Sequence, residues 1–161
     1  MNPSLTLRPI RPDDEEFLRR VYAGTRAEEL APLAWDDAQK MAFLRMQFDL
    51  QHRYYQAQFP DAAYSVVLLD GEPVGRLYVD RGEKEICILD IALLPERRGA
   101  GLGGTLLRDL LAEADRAAKP VRIHVERFNP ALRLYQRLGF VQIGETDFYY
   151  LMKRTPGAGG S

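Results

Sequence analysis

Between Pro95 and Leu107 the chain reads Pro-Glu-Arg-Arg-Gly-Ala-Gly-Leu-Gly-Gly-Thr-Leu-Leu. Gly99, Gly101, Gly103 and Gly104 strip side chains from a stretch that follows an apolar strand pattern and opens a helical one, so successive backbone N–H groups are free to converge on one point. A helix that starts there adds unpaired donors and the positive end of its dipole. Arg97 and Arg98 add fixed positive charge. Residues of these types in this order suit an anion, above all a phosphate. Glycines cost chain entropy, which favours a loop whose bare backbone is put to use.

Two frames compete for this segment. Gly99-Ala100-Gly101-Leu102-Gly103-Gly104 fits the dinucleotide fingerprint GxGxxG, with Glu126 about 20 residues further on in the place of a ribose-binding acid. That fingerprint needs its first glycine at the strand end, and here Pro95-Glu96-Arg97-Arg98 intervenes. Too little chain follows Glu126 to complete a doubly wound sheet. The second frame is Arg98-x-x-Gly101-x-Gly103 before an amphipathic helix, and it resembles the coenzyme A pyrophosphate loop of the GNAT superfamily of N-acetyltransferases. A second segment, Asn129-Pro130-Ala131-Leu132-Arg133-Leu134-Tyr135-Gln136-Arg137-Leu138-Gly139-Phe140, is similar to that superfamily's Asn-x-x-Ala-x-x-x-Tyr-x-x-x-Gly-Phe motif. The resemblance runs from about Leu5 to Met152 and is sharp from Glu85 to Phe140.

The resemblance implies an acetyl-CoA-dependent N-acetyltransferase in which an amine attacks the thioester directly. Its protein must hold the coenzyme, polarise the carbonyl, take a proton from the acceptor and stabilise the leaving sulfur. Arg98, Gly99, Ala100, Gly101, Leu102, Gly103 and Gly104 would form the pyrophosphate loop, with Leu102 turned into the core. Main-chain groups of Ile91, Ala92 and Leu93 would pair with the pantetheine arm, and Asn129 would contact the coenzyme. Capping a helix explains Asn129 equally well. Tyr135 would protonate or hydrogen-bond the sulfur, although Ala131, Leu134, Tyr135 and Leu138 share an apolar face that suits a core tyrosine too. A thiol titrates near 8.5 and a phenol near 10, so full proton transfer is uphill by roughly 2 kcal/mol and a strong hydrogen bond is the easier form of help.

For the general base, Glu85 lies about as far ahead of the Arg-Gly pair as the glutamate of some superfamily members, and Asp90 is an acid inside an apolar strand. A water relay stays open beside them, since either acid is also able to pair with Arg76 or another strand residue. His124 alternates with Ile123 and Val125 and reads as a packed strand residue, His52 as a solvated one on a helix. Cys87 reads as a buried strand cysteine rather than an acetyl carrier. No cluster of ligands suggests a metal. Trp35, Arg45, Gln47, Gln51, Tyr54 and Tyr55 are candidates for the acceptor's walls, with core and solvent face as their plainer use. The acceptor class stays open between a small amine, an amino acid and a protein amine. Two other functions compete with the enzyme: a catalytically silent acyl-CoA sensor, and a dinucleotide-binding module.

Composition sets bounds on these readings. A net charge of −1 over 161 residues, with no basic block beyond Arg97-Arg98, argues against a nucleic-acid partner. One cysteine, Cys87, allows no internal disulfide, and no apolar run is long enough for a bilayer, so the expectation is a cytoplasmic protein without a membrane partner. The broad apolar stripe of the second helix also fits a homodimer surface, as many members of the superfamily are dimers.

Periodicity supplies the elements that must position these groups. Strands are expected at 5–10, 64–69, 73–79, 85–94, 121–126, 140–143 and 148–152, with Asp70-Gly71 as a hairpin turn. Helices are expected after Pro12-Asp13-Asp14, from Asp36 or Asp37 to Phe59, from Leu102 to a stop at Lys119-Pro120, and from an Asn129 cap with Pro130 at its first position to Gly139. The resemblance implies an α/β (α+β) fold: a mixed, mostly antiparallel twisted sheet of six to seven strands flanked by about four helices, splayed between the strand ending at Leu94 and the strand starting at Val121. Residues 1–154 then form one domain, and the Gly-rich 155–161 a flexible tail.

Overall fold

The computed structural model describes residues 4–158. Seven strands and four α-helices follow one another as β1 (Leu5–Pro9), α1 (Glu15–Leu30), α2 (Asp37–Gln58), β2 (Ala63–Leu69), β3 (Glu72–Arg81), β4 (Ile86–Leu93), α3 (Leu102–Arg116), β5 (Val121–Glu126), α4 (Leu132–Arg137), β6 (Val141–Glu145) and β7 (Tyr149–Arg154). The strands hydrogen-bond in the order β1-β2-β3-β4-β5-β7-β6. Packing divides the chain into two compact units, Met1–Tyr78 with Asp90–Ala100, and Val79–Leu89 with Gly101–Ser161.

In the first unit β1 pairs antiparallel with β2, Leu5 opposite Leu69 and Pro9 opposite Ser65. The β2–β3 turn is built as expected, with Asp70 at φ 50° and Gly71 at 86°, the left-handed pair that matches strand twist in a tight hairpin. Asp36 caps α2 by accepting from the Gln39 N–H at 2.8 Å, while the Gln39 side chain accepts from the Asp36 N–H at 2.9 Å. Leu18, Tyr22 and Phe48 form one cluster where α1 and α2 meet, and Val21 packs with Ala92 and Leu94 in another.

In the second unit Leu106, Leu107, Leu110, Leu111 and Ala114 bury one face of α3, as their helical spacing requires. β5 is antiparallel to β7, Ile123 opposite Met152, and parallel to β4, with Ile86, Ile88 opposite Val121, Ile123. Beyond those pairs β4 runs on to Leu93 and β5 to Glu126, which is the splay the resemblance implied. β6 bulges against β7 between Gln142 and Gly144.

Two local expectations change. The fourth helix begins at Leu132, because Pro130 and Ala131 form a turn in which the Leu132 N–H reaches back to the Asn129 carbonyl at 3.1 Å. Asn129 still caps that turn, its Oδ1 accepting from the Ala131 N–H at 2.8 Å. The tail expected from Thr155 is a turn as far as Ala158, since the Gly157 N–H donates to Asp115 at 2.8 Å and Arg154 donates to the Ala158 carbonyl. The rest of that tail, 159–161, lies outside the described residues.

Candidate coenzyme and acceptor site

β4 is followed by a single 3-10 turn, Pro95–Arg97, after which Arg98 returns to extended backbone. Gly24 lets α1 come close to this turn: a Cβ there would meet the Pro95 ring at 2.8 Å. Arg97 is engaged by Glu72 at 3.2 Å, whereas among the described residues no carboxylate pairs with Arg98, whose guanidinium is exposed. Gly99 and Gly101 sit at φ 80° and 81°, a conformation that costs glycine nothing and other residues a great deal. Gly101 also stands at the N-cap of α3 and has no side chain to cap it, so the first N–H groups of the helix are left for another acceptor. Side chains added at Gly99, Gly101 or Gly103 would meet nothing within 4 Å. Gly104 is buried, and Leu102 is turned inward as expected. Ala100 is exposed between the two left-handed glycines.

The first unit gathers a polar cluster around the C-terminal half of β4. Arg76 on β3 is 2 % exposed and grips both oxygens of Asp90, Nε to Oδ1 at 3.1 Å and one terminal nitrogen to Oδ2 at 2.9 Å. The same nitrogen donates to Gln51 at 3.2 Å, and the Tyr55 hydroxyl donates to Asp90 at 3.4 Å. The guanidinium stands 5.7 Å from the Tyr22 ring centre and 5.2 Å from that of Tyr78. Burial works against the Arg76 charge, and the neighbouring Asp90 more than offsets it, holding the guanidinium above its ordinary value. Tyr78 is pushed up to about 12 by burial, with Arg76 pulling the other way; its hydroxyl lies in the field of that guanidinium without the geometry of a hydrogen bond. Ile91 and Leu93 are half-buried and Ala92 is buried. At Gly75 a Cβ would stand 2.4 Å from the Ala92 carbonyl oxygen, so only glycine permits β3 this close an approach to β4.

Of the expected acceptor walls, the fold brings Gln51 and Tyr55 into this cluster, and Gln47 accepts from the Tyr22 hydroxyl at 3.3 Å. Tyr54 is exposed and tilts against Tyr55, Trp35 packs edge-on against Phe43, and Arg45 is exposed. His52, expected in solvent, is half-buried and stacks on Phe48, and burial lowers its pKa.

In the second unit Glu85 lies just ahead of β4 and pairs with Arg122 of β5, 2.9 Å from its Nε, as an ion pair rather than an aligned hydrogen bond. The Cys87 thiol is half-buried and is pushed up by burial and then by Glu85, which makes it a poor nucleophile. Tyr135 is 4 % exposed and meets Phe140 edge to face at 5.7 Å. His124 departs from its expected packing: Ile123 and Val125 are the buried neighbours, and the imidazole is on the exposed side of β5. Among the described residues no group of acids, histidines or cysteines is placed to hold a metal ion, and no helix is long and apolar enough to cross a membrane.

Residues 27–140 match the family model described as Acetyltransferase (GNAT) family. The chain belongs to the GNAT acetyltransferase family. Its fold is that of the PaiA N-acetyltransferase of Thermoplasma acidophilum in complex with coenzyme A, with 17 % identity, TM-score 0.68, and coverage of 94 % of this chain and 99 % of that one. An acetyltransferase from Thermus thermophilus is similar at 23 % identity and TM-score 0.68, covering 94 % and 97 %. A mycothiol acetyltransferase of Thermobifida fusca is 39 % identical over 85 residues, which are 52 % of this chain and 23 % of that protein. The chain thus matches under a quarter of that relative's length.

Within this GNAT chain, two site features escaped sequence reasoning in different ways. Gly75 carries no motif, and its need for glycine arises only from the carbonyl across the strand. The hold of Arg76 on Asp90 was foreseeable as a pairing, but its closure on Gln51 and Tyr55 of α2 depends on tertiary packing.

Proposed function

We propose that this chain moves the acetyl group of acetyl-CoA directly to a primary amine. The observation that carries this reading is the loop from Arg98 to Gly103: two left-handed glycines, an uncapped helix start and a guanidinium that no described carboxylate pairs leave donors and positive charge for one anionic group. In this reading the N–H groups of Gly101, Leu102, Gly103 and Gly104, with Arg98, Gly99 and Ala100, bind the pyrophosphate of the coenzyme. Main-chain groups of Ile91, Ala92 and Leu93 pair with the pantetheine arm and polarise the thioester carbonyl, and Asn129 adds a contact. Tyr135 supplies the hydrogen bond or proton that the departing sulfur needs. Gln51, Tyr55, Tyr54, Trp35 and Arg45 line the approach of the acceptor, a small-molecule or protein amine. The single cysteine and the absence of a basic block favour a cytoplasmic setting with no nucleic-acid partner, and the exposed Met46, Leu50 and Tyr54 on α2 suit a homodimer.

Thermal unfolding with acetyl-CoA, and separately with NAD, tests the reading. Ligand at about a hundred times its dissociation constant contributes about 2.7 kcal/mol, a rise of about 5 to 10 °C in the midpoint for a chain of this size. Acetyl-CoA alone should give that shift, and Gly103→Asp, which sets a carboxylate against the pyrophosphate, should remove it. A shift with NAD alone would restore the dinucleotide frame, and an undiminished shift in a folded Gly103→Asp protein would refute the loop assignment.

A further inference from the structure

Tyr135 sits on a helix too short to place itself. α4 runs only from Leu132 to Arg137, and a helix of this length owes its stability to contacts with the rest of the protein. Its buried side chain is Tyr135 itself, edge-on against Phe140, while Arg133, Gln136 and Arg137 are exposed. The ring whose placement matters is therefore also the ring that packs, and the angle and depth of the helix have to be set from elsewhere.

They are set at its C-terminal end. The Leu138 N–H closes the helix on the Leu134 and Tyr135 carbonyls at 3.0 and 3.1 Å, Gly139 turns the chain at φ 99°, and the Phe140 N–H returns to the Tyr135 carbonyl at 3.1 Å. The carbonyl of a C-terminal capping residue has no donor inside its helix. Arg154, 6 % exposed at the end of β7, supplies one, its Nε donating to the Leu138 carbonyl at 2.8 Å. The rest of the guanidinium is fixed on α3 and on the turn after β7. One terminal nitrogen meets Asp115 at 2.8 Å, the other meets Asp115 at 3.2 Å and the Ala158 carbonyl, and the Gly157 N–H donates to the same carboxylate at 2.8 Å. A guanidinium holds its donors in a rigid plane, so a head gripped at both terminal nitrogens carries its Nε to a set position. Asp115, Tyr135, Leu138 and Arg154 all lie in the second unit.

We infer that Arg154 is a positioning residue for Tyr135: through the Leu138 carbonyl it fixes α4 so that the phenol is held for the coenzyme's sulfur, an inference that rests on the acetyltransferase reading above. Arg154 thus has two separable uses. The ion pair with Asp115 ties β7 to α3, and the bond from Nε to Leu138 reaches the helix that carries Tyr135. Lysine is able to keep the ion pair, but as a point charge without a planar fork it does not hold Leu138 at the same time. Arg154→Lys should therefore retain much of the folding stability and lose the placement of Tyr135.

The test reads the bound coenzyme and needs no acceptor. Coenzyme A is bound to wild type, Tyr135→Phe, Arg154→Lys, Arg154→Met and the double variant Tyr135→Phe/Arg154→Met, and its thiol is titrated by the ultraviolet absorbance of the thiolate, with the desulfo-CoA complex as blank. A phenol donating to the sulfur stabilises the thiolate, so in wild type the thiol should titrate below its ordinary value of about 8.5. Tyr135→Phe should raise that midpoint by about one to two pH units. Arg154→Lys and Arg154→Met should raise it by a similar amount with CoA affinity by calorimetry near pH 7 almost unchanged, and adding Arg154→Met to Tyr135→Phe should move it no further. An Arg154→Met complex that titrates as wild type does, or a double variant in which the two shifts add, overturns the inference and leaves the transfer reading standing, with Arg154 a structural clamp that lowers only the unfolding midpoint. If Arg154→Met does not fold, Arg154→Lys takes its place in the double variant and the same two outcomes decide. A midpoint that Tyr135→Phe leaves where it was also overturns the inference, since the phenol then meets no sulfur. A folded wild-type protein that does not bind coenzyme A overturns both.

Discussion

Arg76 is the most consequential charged side chain of the first unit, and the structure fixes what its loss should do. Arg76→Met removes both hydrogen bonds to Asp90 and the one to Gln51, and leaves a carboxylate at 13 % side-chain exposure with only the long 3.4 Å contact from Tyr55. Breaking a buried pair from one side costs about 3 to 5 kcal/mol, because the remaining charge has lost its solvent and its partner together. For a chain of this size each kcal/mol lowers the midpoint by about 2 to 4 °C, so the expected fall is about 6 to 20 °C. Urea unfolding should show the same loss as a lower midpoint at unchanged slope.

The double variant Arg76→Met/Asp90→Leu discriminates between a costly orphaned charge and a loss of packing. With both charges gone, no desolvated ion remains, and stability should return to within about 2 kcal/mol of wild type. The reasoning is refuted if Arg76→Met costs under about 1 kcal/mol, or if the double variant loses the sum of the two single losses. A further readout bears on chemistry. If the double variant folds, binds acetyl-CoA and still loses more than about a hundredfold in CoA release, Asp90 regains the role of base that its grip by Arg76 argues against.

Other expected outcomes are as direct. Tyr135→Phe should lower CoA release at least tenfold with acetyl-CoA affinity by calorimetry almost unchanged; equal turnover would leave Tyr135 a core residue packed on Phe140. Gly75→Ala sets a methyl 2.4 Å from the Ala92 carbonyl oxygen and should destabilise by about 1 to 3 kcal/mol in urea while weakening acetyl-CoA binding, since β4 must move to admit it. Tyr78, raised to about 12 when folded against 10 unfolded, contributes stability that is whole below pH 10 and is lost as pH rises towards 12, an amount of order 2 kcal/mol. Tyr78→Phe should flatten that alkaline loss in urea midpoints measured from pH 9 to 12 and cost little at pH 7, because the hydroxyl has no hydrogen-bond partner to lose.

What was legible in the sequence was local chemistry, and what was not was the far side of each residue. The Asp70-Gly71 turn, the apolar face of α3 and the glycine loop all announce themselves within a few residues, because left-handed backbone and helical spacing are properties of a short segment. Asp90 and Glu85 looked alike as acids near one strand, and only the partners supplied by β3, α2 and β5 separate them from a free base. His124 shows the limit most clearly. Strand alternation set it opposite Ile123 and Val125, which is correct, but alternation does not say which of the two faces is buried. Parity made a packed histidine and a bare one equally consistent with the same six residues. The packing of Ile123 and Val125 on the inner face is what turns His124 outward against Tyr149, so the exposure of a strand residue is decided by what its neighbours bury.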